Sequence, residues 1–236
     1  MSRDYIFYID RELRALLSKP FRDRKDIILV LLKTVEKLLT PNSDTVRQHR
    51  TSEELKDVFK IFHPDSQGEN QQRVFYYNVY NDENSVDMYT IHSFHFPFSV
   101  NVEEDQILIY YKHSTIEKEI NSYFLSRLTC IINLIDSGEY DWGDPWLDEM
   151  LNIFYSTSND DDNKDLFYLV NDLLLMDFGY IRYDNDPRHE KVNHPRHHFD
   201  INLDKRVTYK IGLTEALNID SFAKIIDNSK DVKSLI

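Results

Sequence analysis

The sequence predicts an α+β fold, and three observations predict it. Apolar residues recur at three- and four-residue spacing in "RKDIILVLLKTVEKLLT" and "DLFYLVNDLLLMDFG", the signature of amphipathic helices. "RVFYYNVY", "VDMYTIHSF" and "QILIYYK" are rich in Val, Ile, Tyr and Phe and follow one another, as strands of an antiparallel meander do. Strand segments cluster instead of alternating singly with helices, which separates α+β from a doubly wound α/β arrangement.

Taken in order, residues 1–65 read as a helical subregion. Ile27, Ile28, Leu31, Leu32, Val35, Leu38 and Leu39 make one stripe, which Pro41-Asn42 ends. "TSEELKDVFKIF" predicts another helix, with Thr51 and Glu54 at capping-box spacing and Leu55, Val58, Phe59 and Phe62 as its stripe. The meander over 73–80, 86–94 and 106–112 follows, with "NDENS" and "FPFSVNVEED" as connections. From Ser114, "STIEKEINSYFLSRLTCIINLID" predicts a central helix aligned on Ile116, Ile120, Phe124, Leu128, Ile131 and Ile135, stopped at Gly138. "DWGDPWLDEMLNIFY" offers Asp144 as a cap with Pro145 at the first helical position. The acidic run "NDDDNKD" reads as a solvated loop before a helix that ends at Gly179. The remainder is strand, loop, strand, strand, helix: "YIRYD", a His/Pro loop, "HHFDINL", "VTYKIGL" and "TEALNIDSFAKIID".

The chain has 236 residues, 41% of them apolar, with 5 Gly and 7 Pro and no linker or repeat. A single α+β domain over 1–236 is expected, with a His/Arg-rich C-terminal subregion at 180–236. The one cysteine, Cys130, rules out an intrachain disulfide and a multi-thiolate zinc site and fits a reducing, cytoplasmic location. No apolar stretch approaches the ~20 residues that span a bilayer, so no membrane partner is expected. The net charge of −13 opposes non-specific association with polyphosphate. Residues 180–212 run against that average, with seven Lys/Arg against five Asp/Glu.

This is also where chemistry concentrates. "YIRYDNDPRHEKVNHPRHHFD" holds His189, His194, His197 and His198, four of the nine histidines. In an extended 197–203, His197, Phe199 and Ile201 face one way and His198, Asp200 and Asn202 the other. His189, His194, His197, His198 and Asp200 are ligand-type residues for zinc or manganese, but their spacing matches no metal motif, and Arg188 and Arg196 would repel a dication. A polar hydrogen-bonded turn is the bland reading. The third is metal-free acid/base cleavage of RNA, which needs a base for the 2′-hydroxyl, an acid for the departing 5′-oxygen and a cation for the phosphate. Histidine and arginine suit those roles.

Elsewhere the signals are weaker. His92 and His95 have odd separation in a strand, which argues against a metal pair and for packing of His92 beside Phe94 and Phe96. Tyr76, Tyr77, Tyr80, Tyr89, Tyr110 and Tyr111 read as core or interface before they read as a base-stacking platform. "EEDQILIYYK" lacks the acid-x-Lys spacing of metal-dependent nucleases, and no Gly-rich phosphate loop, GxSxG elbow or dinucleotide fingerprint is present.

"RYDNDP" leading through a Pro/His segment to "HPRHHFD" resembles the terminal motif of TumE-type toxins of bacterial toxin–antitoxin pairs. With "INLDKRVTYKIGL" and "FAKIID" it is also similar to an uncharacterised bacterial domain family with an His-Pro-x-x-His ending. The resemblance gives Arg182, Asp184, His194, Pro195 and His197 family counterparts; Arg188 stands where those toxins tend to have His, and this chain is much longer. Together with the His/Arg cluster and its local charge reversal, it points to a toxin- or defence-type protein with an RNA-directed site, and with a protein partner such as an antitoxin or a defence-complex subunit. The expected catalytic residues are His194, His197, His198, Arg182 and Arg196, with Tyr183, Arg188 and Lys210 binding substrate, and with no metal or cofactor. The alternative is a non-catalytic scaffold or recognition subunit of such a complex.

Overall fold

β-branched and aromatic residues at period two build most of the framework. The computed structural model describes residues 5–19, 21–40, 57–62, 72–81, 87–103, 106–113, 116–135, 151–155, 160–201 and 209–226. Its strands are β1 (Tyr5–Tyr8), β2 (Val58–Phe62), β3 (Arg73–Asn81), β4 (Asp87–His95), β5 (Phe98–Glu103), β6 (Gln106–His113), β7 (Ile116–Glu119), β8 (Ile181–Asn185), β9 (His197–Ile201) and β10 (Tyr209–Gly212). The helices are α1 (Arg11–Leu17), α2 (Arg24–Leu39), α3 (Ser122–Leu134), α4 (Asp160–Leu175) and α5 (Ile219–Ile226), and residues 151–154 are also helical. The fold is α+β, as its sequence predicts.

Contacts gather into two compact units. One comprises residues 1–22, 42–96 and 178–236, the other 23–41 and 97–177. In the first, seven antiparallel strands run in the order β1-β2-β3-β4-β8-β9-β10. One face of this sheet is apolar along β3, β4, β8 and β9, where Phe75, Ile91, Tyr183 and Phe199 are buried with Ile219, Phe222 and Ala223 of α5. The opposite face changes character along the sheet. It is apolar at Phe7, Phe59, Val74, Tyr76 and Phe94, then ionic at Arg182, Asp184, His198, Asp200 and Lys210.

The second unit holds the three-stranded antiparallel sheet β5-β6-β7 with α2, α3 and α4. Asp23 and Asp26 form a capping box at the start of α2, whose Ile27, Ile28, Leu31, Leu32, Val35 and Leu38 are buried as the stripe predicts. Arg127 of α3 donates through Nη2 to the Phe154 carbonyl at 2.8 Å and to Asn163 Oδ1 at 2.7 Å, which anchors one arm of a buried guanidinium whose Nη1 has no hydrogen-bond partner among the described residues.

Six expectations need correction. The first described element is strand β1, not a helix. The predicted helix at 51–62 is strand β2 where it is described: Val58, Phe59, Lys60 and Ile61 are all buried between β1 and β3, and a run covered on both faces has no period to betray it. Residues 51–56, with Thr51 and Glu54, lie outside the described residues, as do Gly138, Asp144 and Pro145. The expected meander is split between two sheets, because "FSVNVE" is itself a strand, β5, that takes β6 as its partner. The central helix starts at Ser122 under an Asn121 cap; "IEKE" before it is β7, with alternating burial. The acidic run belongs to α4. Carboxylates at a helix N-terminus are favoured by its dipole, and Asp162 and Asp165 also take the ammonium of Lys118. α4 ends at Leu175, and Gly179, with φ +52°, instead serves the turn that leads into β8.

Candidate functional site: an ionic sheet face beside a cleft

Arg-x-Asp in β8 and His-x-Asp in β9 each put two polar residues on one face, because side chains alternate along a strand. Antiparallel register then places Arg182 opposite Asp200 and Asp184 opposite His198, while β10 adds Lys210 opposite Asp200. Arg182 donates through Nε and Nη2 to Asp184 Oδ2, at 3.1 and 2.7 Å, and its Nη2 also reaches Asp200 Oδ2. Lys210 Nζ donates to Asp200 Oδ1 at 2.7 Å. Asp184, His198 and Asp200 are buried.

These pairings set the protonation of the network. Burial opposes the charge on Arg182, but Asp184, Tyr180 and Asp200 outweigh it and hold the guanidinium above its ordinary pKa. Burial likewise pushes Asp184 up, and His198, with Nε2 3.3 Å from Oδ2, and the charge of Arg182 bring it below the usual carboxylate value. His92, beside this face on β4, is pushed down to about 3, first by burial and then by Arg182. It packs against Phe21 at 4.9 Å and lies 3.2 Å from the Tyr180 hydroxyl, a neutral core histidine.

A cleft of about 420 Å³ adjoins the network. Its lining includes Lys19, Tyr80, Thr90, His92, Arg182, Asp184, Asp186 and His189. The last two form a dyad. Asp186 Oδ2 lies 2.9 Å from His189 Nδ1, and Asp186 Oδ1 accepts from the His189 backbone N–H at 3.2 Å, an Asx-type turn across Pro187. A carboxylate on Nδ1 fixes the imidazole tautomer and leaves Nε2 for exchange with a ligand. The His189 side chain is 62% exposed, so a substrate can reach it.

The structure distributes the predicted residues over several environments. Arg182, His198 and Lys210 come together in the ionic network. His197 lies on the other face of β9, as alternation predicts, with Nδ1 2.9 Å from the Tyr183 hydroxyl; the Tyr183 ring is fully buried there and its hydroxyl also accepts from Leu217 N at 3.0 Å. Tyr183 is therefore a core residue with a satisfied hydroxyl. Arg196 is exposed and donates to Asn185 Oδ1 at 3.1 Å, and Arg188 is exposed in the loop. His194 stands 4.6 Å from His198 and 6.2 Å from His189 between ring centroids, and burial with the charges of Lys210 and His198 lowers its pKa.

Sequence reasoning passed over Asp186 and the role of His189 beside it. The signal was the Asp-Pro-x-His turn, whose i to i+3 spacing returns the carboxylate to the imidazole. It also weighed Asp184 only through the family likeness, although Arg182-x-Asp184 repeats the alternation of His198-x-Asp200. Tyr76 and Tyr111 are buried, which supports their reading as core. Among the described residues one group, Asp184, His198 and Asp200, has the geometry to hold a metal ion. Comparison of the chain with protein-family models, with curated proteins and with solved structures finds no match.

Proposed function

We propose that the chain is a toxin- or defence-type protein that cleaves RNA, with the proton transfers made by His189, which lines the cleft, and by His194 beside it. The observation that carries this reading is the His189–Asp186 dyad, exposed beside a cleft walled by Arg182. Two imidazoles 6.2 Å apart can address opposite sides of one phosphate. His194, kept deprotonated by its surroundings, takes the 2′-hydroxyl proton as the oxygen attacks phosphorus. His189, braced by Asp186, delivers a proton to the departing 5′-oxygen. Arg188 and Arg196, both exposed on the same loop, supply cationic contacts to the phosphates. The resemblance of residues 180–200 to TumE-type toxins supports the same reading.

Purified protein incubated with a labelled single-stranded RNA tests it. His189→Ala and His194→Ala are each expected to slow cleavage by about a hundred-fold or more, the usual worth of a general acid or base. His197→Ala, on the opposite face, keeps wild-type rates within about three-fold. Intact RNA with wild-type protein, or cleavage at the wild-type rate by the His189 or the His194 variant, sinks the proposal.

The rival reading, a non-catalytic recognition subunit with a protein partner, draws on a different observation. Tyr123, Tyr155, Phe167, Tyr168 and Leu175 of the second unit are all exposed, and aromatic anchors are enriched at interfaces. Phe167→Ser and Leu175→Ser would then abolish capture of a stoichiometric partner, while His189→Ala would leave function intact.

A further inference from the structure

Three adjacent strands bring their polar side chains to one point of the sheet. One ligand atom from each of Asp184, His198 and Asp200 lies within 4.8 Å of the others, and all three residues are buried. His198 Nδ1 is 2.7 Å from the Pro195 carbonyl oxygen. A carbonyl only accepts, so Nδ1 carries a hydrogen, and Nε2 is the ring atom turned toward the carboxylates, where the neutral ring presents its lone pair to a metal. Metal-ligating histidines are braced in the same way.

The point where these acceptors meet already holds a cation. Lys210 Nζ sits 2.9 Å from His198 Nε2 and 2.7 Å from Asp200 Oδ1. Arg182 binds the two carboxylates through Asp184 Oδ2 and Asp200 Oδ2. A second, independent feature is Asp184 Oδ1, a buried carboxylate oxygen with no hydrogen-bond partner among the described residues. Such an atom is costly unless something else coordinates it.

We propose that Asp184, His198 and Asp200 form a divalent-cation site, suited to zinc or manganese, in which the ammonium of Lys210 is an exchangeable plug. One imidazole and two carboxylates are a donor set for those ions. Lys210 comes from β10, the last strand of the sheet, and its side chain is 29% exposed. The ammonium can therefore leave toward solvent without disturbing the apolar face on the other side. Arg182 stays in place and orients both carboxylates, at the expense of some repulsion of the dication. Arg188 and Arg196, which from the sequence argue against a metal, take no part: both are exposed, and Arg196 is engaged by Asn185.

The site does not depend on the ribonuclease reading and is tested without RNA. Zinc chloride is titrated calorimetrically into wild type, Lys210→Met and the Lys210→Met/Asp184→Asn double variant, each checked by thermal melting. Removing the competing ammonium is expected to tighten zinc binding by about ten-fold or more, and adding Asp184→Asn to abolish that gain. In the unaltered chain, millimolar zinc is expected to shift the ¹⁵N signal of His198 Nε2. The proposal is overturned if Lys210→Met binds zinc no more tightly than wild type, if the double variant binds as tightly as Lys210→Met, or if the His198 Nε2 signal does not move.

Discussion

His197 and His198 are neighbours in the chain and face opposite sides of β9: His197 Nδ1 lies 2.9 Å from the Tyr183 hydroxyl, whereas the His198 ring is fully buried beside Asp184. Their replacement should therefore differ in cost. His198→Ala opens a cavity and removes an acceptor from the Lys210 ammonium, a loss of about 3 kcal/mol. His197→Ala removes one hydrogen bond from a hydroxyl that retains Leu217 N as donor, about 1 kcal/mol. Urea unfolding midpoints measure both; equal midpoints would contradict the face assignment.

His92 makes stability depend on pH. Its pKa falls from 6.5 to about 3 on folding, with burial as the main cause. Between those values the unfolded chain binds more protons, so stability is complete above pH 6.5 and is lost as pH falls toward 3. The slope for one such histidine is at most about 1.4 kcal/mol per pH unit. His194 and His197, also lowered mainly by burial, add to it with the same sign. Melting temperatures between pH 4 and 7 should fall less steeply for His92→Asn than for wild type.

Lys60 of β2 and Asp220 of α5 tie helix to sheet, with Nζ 2.9 Å from Oδ1 and the lysine side chain only 8% exposed. Asp220→Asn takes a carboxylate from a buried ammonium and from the first turn of a helix, a loss of about 2 kcal/mol after allowing for the partial exposure of Asp220. Lys60→Met in that background should restore most of it. A double-mutant cycle read by denaturant midpoints gives the coupling, and additive effects would show that the pair does not act as a unit.

Gly212 supports the His-Pro loop by being small. A Cβ there would meet Pro195 Cγ at 2.9 Å, in the residue that holds His198 by its carbonyl. Gly212→Ala is expected to cost about 1–2 kcal/mol through forced displacement of Pro195. It should also shift the His198 imidazole resonances, and unchanged resonances would mean that Pro195 does not transmit the strain.

Legibility followed the range of the interactions. α2 was readable because its stripe spans four turns and needs only a generic apolar partner. Alternation in β9 was readable too, since a strand has period two whatever it pairs with. β2 was not, because Val58 to Ile61 are all buried and carry no alternation, and only pairing with β1 and β3 makes the segment a strand. "IEKE" did carry an alternation of its own, overridden in the reading by the longer helical stripe that follows.

The sequence by itself determined the α+β class, the concentration of chemistry at 180–212 and the opposite faces of His197 and His198. Only the tertiary structure decided which of those residues meet. Arg182 reaches Asp200 across 18 residues of chain, through a register that an intervening loop sets. Lys210 reaches His198 only because β10 pairs with β9. Local periodicity orients a side chain, but the partner that sets its charge state comes from strand pairing between distant segments, which no local pattern encodes.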